Sequence, residues 1–143
     1  MFTFLLRNNK SYGGRRNGQY RWLYRLCLLP VLDQEETIKW YQEKLGFDWN
    51  GHCFELGYGP DIMLVNVNNK EDVKLTYNTD HWEGEDFEMY ILTYKSPNIE
   101  ETYETLKERG VKVSDIKMYN GNRKCFRFYD LNGHRFDVWS GWL

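Results

Sequence analysis

The sequence predicts an α+β fold of two βαβββ modules that curl eight strands into a cup, with the helices outside. Three observations predict it. Asp33-Gln-Glu-Glu-Thr37, leading into a helix-like run that stops at Gly46, recurs 65 residues later as Asn98-Ile-Glu-Glu-Thr102, running to Gly110. Each copy follows an apolar segment and precedes short strand-like segments. Asn50-Gly51 and Asn120-Gly121, both hairpin-turn pairs, stand at matching stages of the two halves.

The elements follow in order. Tyr24–Val31 is apolar enough for a buried first strand. Asp33 offers an N-cap oxygen, and Glu36 three residues on completes a capping box. Ile38, Tyr41 and Leu45 recur at helical spacing and face the core, with Trp40 on the margin, and Gly46 stops the helix. Phe47–Trp49, Cys53–Leu56 and Ile62–Val67 read as strands, the first two joined at Asn50-Gly51 and the last preceded by the turn Gly57-Tyr-Gly-Pro60. Residues 68–86 are polar and acidic, with Trp82 as their largest apolar group, and read as a linker. Phe87–Tyr94 opens the second half as a strand. Asn98 and Glu101 repeat the capping box, and Ile99, Thr102, Tyr103 and Leu106 form the buried stripe of a helix ended by Gly110. Val111 to Tyr119, Lys124–Tyr129 and His134–Trp139 are the remaining strands, the last entered through the turn Asp130-Leu-Asn-Gly133. The first helical unit, Asp33 to Gly46, is one residue longer than its counterpart, Asn98 to Gly110.

Length and composition bound the function. At 143 residues the chain is a single domain over 23–143, with module 1 at about 24–67, the linker at 68–86 and module 2 at about 87–141. Residues 1–22 have no period and read as a basic, loosely ordered extension. Residues 1–32 carry six basic residues and no acid, leaving the remainder at −8, which argues against nucleic acid as the partner of the folded part. No apolar run is long enough to span a membrane. Three scattered cysteines, without a Cys-x-x-Cys pair, point to reduced thiols in a cytoplasmic protein. The aromatic fraction of 17%, with six Trp and eleven Tyr, exceeds what a core takes up, and suits a surface facing a ligand or another subunit.

Leu29-Pro-Val-Leu-Asp33, Ile38-Lys-Trp-Tyr41, Leu45-Gly-Phe47, Arg109-Gly-Val111 and Phe128-Tyr-Asp-Leu-Asn-Gly-His134 followed by Phe136-Asp-Val138 together resemble the vicinal oxygen chelate superfamily. That group includes glyoxalase I, extradiol dioxygenases and bleomycin-resistance proteins. The resemblance spans roughly residues 24–141, and the final turn carries Leu131 where the family has proline. It implies the cupped fold, and in metal-using members one ligand from each of four strands. The corresponding positions here are Leu26, Met63, Ile91 and Asp137. Leucine and isoleucine offer no donor, and a thioether is a poor partner for a hard cation, so no metal and no cofactor is expected.

Other chemistry-bearing residues have ordinary readings. His52, His81 and His134 form no spaced pair and read as surface or turn histidines. Cys53 and Cys125 read as structural thiols rather than nucleophiles. Asp137 has two open readings. It is a carboxylate in an apolar cup, hence a general base or the counter-charge of a cationic ligand, or else it is paired with Arg127 or Arg135 or points outward.

The function expected is therefore a metal-independent binding module for a partly apolar or aromatic small molecule. Its walls are expected from Leu26, Leu28, Met63, Val65, Met89, Ile91, Asp137 and Trp139, with Trp49 and Tyr58 at the rim, and the resemblance implies a homodimer with cups completed across the interface. The alternatives are a lyase, isomerase or dioxygenase on the same scaffold, with Asp137 its catalytic candidate, and a protein-interaction module.

Overall fold

The computed structural model describes residues 25–119 and 121–141; the expected extension at 1–22, with Tyr24 and Asn120, lies outside them. In the first half, β1 (Leu26–Val31), β2 (Asp48–Trp49), β3 (Phe54–Glu55) and β4 (Asp61–Asn66) form a sheet in the order β1-β4-β3-β2. β1 runs parallel to β4, with Leu28 beside Met63 and Pro30 beside Val65. Alternation sets the faces: Cys27, Leu29 and Val31 on β1, and Ile62 and Leu64 on β4, point into the core. Asn50 shapes the turn between β2 and β3, its Oδ1 accepting from the amides of His52 and Cys53 at 2.9 Å each.

The first cap forms as read. Asp33 Oδ1 accepts from the Glu36 amide at 2.9 Å and opens α1 (Gln34–Trp40). The helix then widens into a π turn over Tyr41–Leu45, closed by the Gly46 amide donating to the Tyr41 carbonyl, with Gly46 at φ +71°. This turn accommodates the one-residue excess of the first helical unit. In the second half, α2 (Ile99–Glu108) is α-helical throughout, with Asn98 as its cap.

Between the halves the structure departs from the sequence reading. Residues 68–86 are more than a linker, because β5 (Thr76–Thr79) pairs antiparallel with β6 (Phe87–Tyr90) as a separate hairpin. Its Thr76-Tyr-Asn-Thr79 run carries too little apolar signal for a strand to be read. The expected strand Phe87–Tyr94 breaks at Ile91–Leu92, and β7 (Thr93–Lys95) joins β11 (Arg135–Trp139) in parallel. The expected strand after α2 is likewise two pieces, β8 (Lys112–Val113) and β9 (Lys117–Tyr119), both antiparallel to β10 (Arg123–Tyr129). At the break Ser114 donates its amide to the Arg127 carbonyl, and its hydroxyl accepts from the Arg127 amide at 2.9 Å. The second sheet has the order β7-β11-β10-β8, with β9 also on β10.

One core joins the modules: Leu29, Tyr41, Phe54 and Leu64 from the first half pack in the same cluster as Leu106, Phe126, Phe128 and Phe136 from the second. Lys44 Nζ donates to the Arg109 carbonyl at 2.6 Å, and Arg109 Nη1 donates to the Lys44 carbonyl at 3.0 Å. The final turn adds more. Asp130 Oδ1 accepts from the Asn132 and His134 amides, while its Oδ2 accepts from the Tyr41 hydroxyl at 2.6 Å. Asn132 Oδ1 accepts from the Leu32 amide at 3.0 Å. His134, read as a surface or turn histidine, stands at the exit of this turn and is buried, its Nε2 donating to the Pro30 carbonyl at 2.6 Å. The turn lies against β1 rather than solvent, which is why this turn histidine is not exposed.

Candidate ligand cavity

The core takes one face of each sheet and leaves the other open. On β10, Phe126 and Phe128 sit in the core while the alternate Cys125 and Arg127 face the opposite way. On β11, Phe136 and Val138 belong to the core, and Arg135, Asp137 and Trp139 alternate with them. This open face forms a cavity of about 430 Å³. Trp82, Phe87, Tyr90, Tyr119 and Trp139 are among its aromatic walls; Cys125, Arg127, Arg135 and Asp137 also line it, with Glu83, Asp115, Lys117 and Arg123 among its charged residues.

The β5–β6 hairpin is tied to this face by Arg135. Its Nη1 donates to the Glu88 carbonyl at 2.7 Å, and its guanidinium carbon lies 5.7 Å from the Phe87 ring centroid and 5.2 Å from that of Tyr90. Its Nε and Nη2 donate to Asp137 Oδ1 and Oδ2 at 3.1 and 3.4 Å. Both side chains are almost wholly buried, at 3% and 6% exposure. Burial opposes the charge of Arg135, and the hydrogen bond and charge of Asp137 outweigh it, so the guanidinium stands above its ordinary value.

The same carboxylate shapes its other neighbours. The Cys125 thiol donates to Asp137 Oδ2 at 3.7 Å. Burial first, then the charge of Asp137, pushes this thiol up to about 12, so it is protonated at neutral pH and no nucleophile. Burial and Asp137 likewise raise Tyr90 to about 12. Of the two readings of Asp137, the structure brings both features together: the carboxylate lines a cavity and is paired with Arg135. Arg127 is its cross-strand neighbour and is half-buried on the same face. Among the described residues, its guanidinium has no ion pair and no side-chain hydrogen bond.

Of the expected wall residues, this cavity brings together Asp137 and Trp139. Leu26, Leu28, Met63 and Val65 share the open face of the first sheet and line no part of it; Leu28 is 60% and Val65 44% exposed. Met89 is half-buried on β6, and Ile91 is exposed at the strand break. Trp49 packs edge-on against Phe54. Tyr58 edges a separate hollow of about 790 Å³ on the core side, between the β2–β4 strands and the β7–α2 segment. Trp82, Tyr119 and Arg127 are the functional candidates that the sequence reading did not place on the site. Arg127 was reachable from it, since residues directly opposite on paired strands share a face.

The positions that would hold a metal do not fit one. Leu26 and Ile91 have no donor, Met63 offers only a thioether, and both oxygens of Asp137 face Arg135. Among the described residues no three His, Cys, Asp or Glu side chains converge into a metal-holding group.

A family model for the glyoxalase/bleomycin resistance protein/dioxygenase superfamily matches residues 25–138. The chain belongs to this superfamily. No curated protein matches it in sequence. Among solved structures it is similar to UcmS2, with 19% identity, TM-score 0.64, and coverage of 85% of this chain and 99% of that one. A superfamily member from Sphaerobacter thermophilus DSM 20745 has 21% identity and TM-score 0.59, covering 83% and 96%. TnmS3, described as an antibiotic binding protein from Streptomyces sp. CB03234, has 21% identity and TM-score 0.53, covering 82% and 93%. At these identities the likeness speaks for the fold, and the superfamily fold carries many chemistries. No helix among the described residues is long and apolar enough to cross a membrane.

Proposed function

We propose that this superfamily member is a small-molecule-binding protein that uses no metal, and that its ligand is partly apolar and aromatic. The observation that carries the reading is the cavity on the second sheet: Trp82, Phe87, Tyr90, Tyr119 and Trp139 are among its walls, beside a buried Arg135–Asp137 pair. Flat rings stack on such walls and the few polar groups set orientation. The description of TnmS3 as antibiotic-binding gives the reading a precedent on this fold. Acid–base catalysis by Asp137 would require breaking its bonds to Arg135. The free thiols suit a reducing, cytoplasmic setting.

The working unit is a homodimer. The cavity is walled by residues 82–139 alone, while the open face of the first sheet presents Leu28 and Val65 to solvent. A second copy laying that apolar face over the cavity would bury both and complete the cup.

Calorimetric titration of chelator-treated full-length chain with 2-naphthamide, a neutral bicyclic aromatic, tests the binding reading. One saturable site per chain is expected, unchanged by EDTA and weakened by Trp82→Ser. Binding that requires an added divalent ion, or no binding at all, refutes it.

A further inference from the structure

Resting on that reading, we infer that the cavity selects an anionic aromatic, its carboxylate or equivalent acid seated on Arg127. The inference starts from which charges in the cavity are already answered. Asp137 would be the natural counter-charge of a cationic ligand, but both its oxygens take hydrogen bonds from Arg135. Arg135 is equally engaged, with Nη1 on the Glu88 carbonyl and the remaining donors on Asp137. Glu83 accepts from the Tyr119 hydroxyl at 3.5 Å, and Asp115 is exposed, as is Lys117.

Arg127 differs from all of these. It stands on β10 with Phe126 and Phe128 locking its strand into the core on either side, and its amide is held by Ser114. Arg127 is half-buried and lines the cavity, and its guanidinium makes no ion pair or side-chain hydrogen bond among the described residues. A guanidinium on a rigid strand presents a planar fork that matches a carboxylate with two parallel hydrogen bonds. Trp82, Tyr119 and Trp139 line the same cavity and supply surfaces for the ring that carries the acid. A cation in this cavity would meet an unanswered guanidinium instead, so the site discriminates by repulsion as well as attraction.

A matched pair of probes isolates the charge. 2-Naphthoate and 2-naphthamide share a ring and a shape, and only the first is anionic at pH 7. Both are titrated into the full-length chain and into Arg127→Gln, Arg127→Lys and Lys39→Gln, the last removing an exposed cation on α1 outside the cavity, with thermal melts verifying that each variant folds. The naphthoate is expected to bind about tenfold or more tighter than the amide to the unaltered chain. Arg127→Gln removes that gap while the amide's affinity holds within about twofold; Arg127→Lys restores part of it, and Lys39→Gln leaves it in place. Equal affinities in the unaltered chain, or a gap that survives Arg127→Gln, overturn the assignment while the amide's binding upholds the cavity reading. If neither probe binds, the cavity reading fails and the assignment with it.

Discussion

Arg135 and Asp137 stand two apart on β11 and point the same way, so their pairing is a consequence of strand geometry. Removing one partner leaves a buried charge unanswered. Arg135→Met is therefore expected to lower the urea-unfolding free energy by about 3–5 kcal/mol, and adding Asp137→Leu to recover a large part of that loss. A double variant no more stable than the single one contradicts this. Protonation tells a related story. Burial holds the Cys125 thiol at about 12 against an ordinary 9.0, and Tyr90 at about 12 against 10.0; Tyr41 and Tyr94 are raised as well. In each case the folded chain keeps a proton that the unfolded chain releases. Their contribution to stability is complete below about pH 9 and is lost as the pH rises through 9 to 12. The urea midpoint should accordingly fall from pH 9 to 11; a rise over that range would refute the assignment. At pH 8, a thiol reagent should label Cys53 in the folded chain before buried Cys27 and Cys125.

At the level of elements, the two caps and the final turn are legible because each rests on local chemistry. Asp33, Asn98 and Gly133 do in the structure what their residue types imply, with Gly133 at φ +81°. Gly133→Ala is expected to destabilise the chain by about 1–2 kcal/mol, measured by urea unfolding, because a side chain there meets left-handed backbone strain. A stability unchanged by Gly133→Ala would show that the turn adapts. The π turn is legible only in hindsight. The one-residue excess of the first helical unit is plain in the sequence, but 3.6-residue periodicity gives no sign of where an extra residue lodges. Deleting exposed Glu43 should let this segment run as a regular helix like α2 and keep a cooperative urea transition. Loss of that transition would show that the widened turn is required. Least legible is β5, whose Thr76-Tyr-Asn-Thr79 run owes its strand form to pairing with β6. Tertiary context decides such segments where propensity does not.

For the whole molecule, the succession of strand, helix and strands in each half was readable from the recurring helix starts, but the pairing of strands into separate sheets was not. Parity along the last strand puts Asp137 and Trp139 on one face, and both line the same cavity. Nothing local indicates that the open face of the first sheet stands apart from it, because that depends on how two sheets dock. The proposed homodimer resolves the separation and can be measured. Sedimentation equilibrium is expected to give twice the 17.4 kDa chain mass, and Leu28→Lys with Val65→Lys to give the monomer. A monomeric native chain that still binds 2-naphthamide would show that one copy suffices.

The bonds of the final turn also set an order of events during synthesis. Leu32, Thr37 and Tyr41 belong to the first half, yet their partners Asn132 and Asp130 lie 100, 95 and 89 positions further on. Pro30 waits 104 positions for His134. The opening strand and helix therefore leave the ribosome long before the groups that secure them exist. Contacts so distant in sequence slow folding, and the first module must persist meanwhile on its own pairing and apolar burial. A nascent chain halted before Asp130 should be readily cut by protease across β1 and α1, and the same segments should become resistant once the last dozen or so residues have been added.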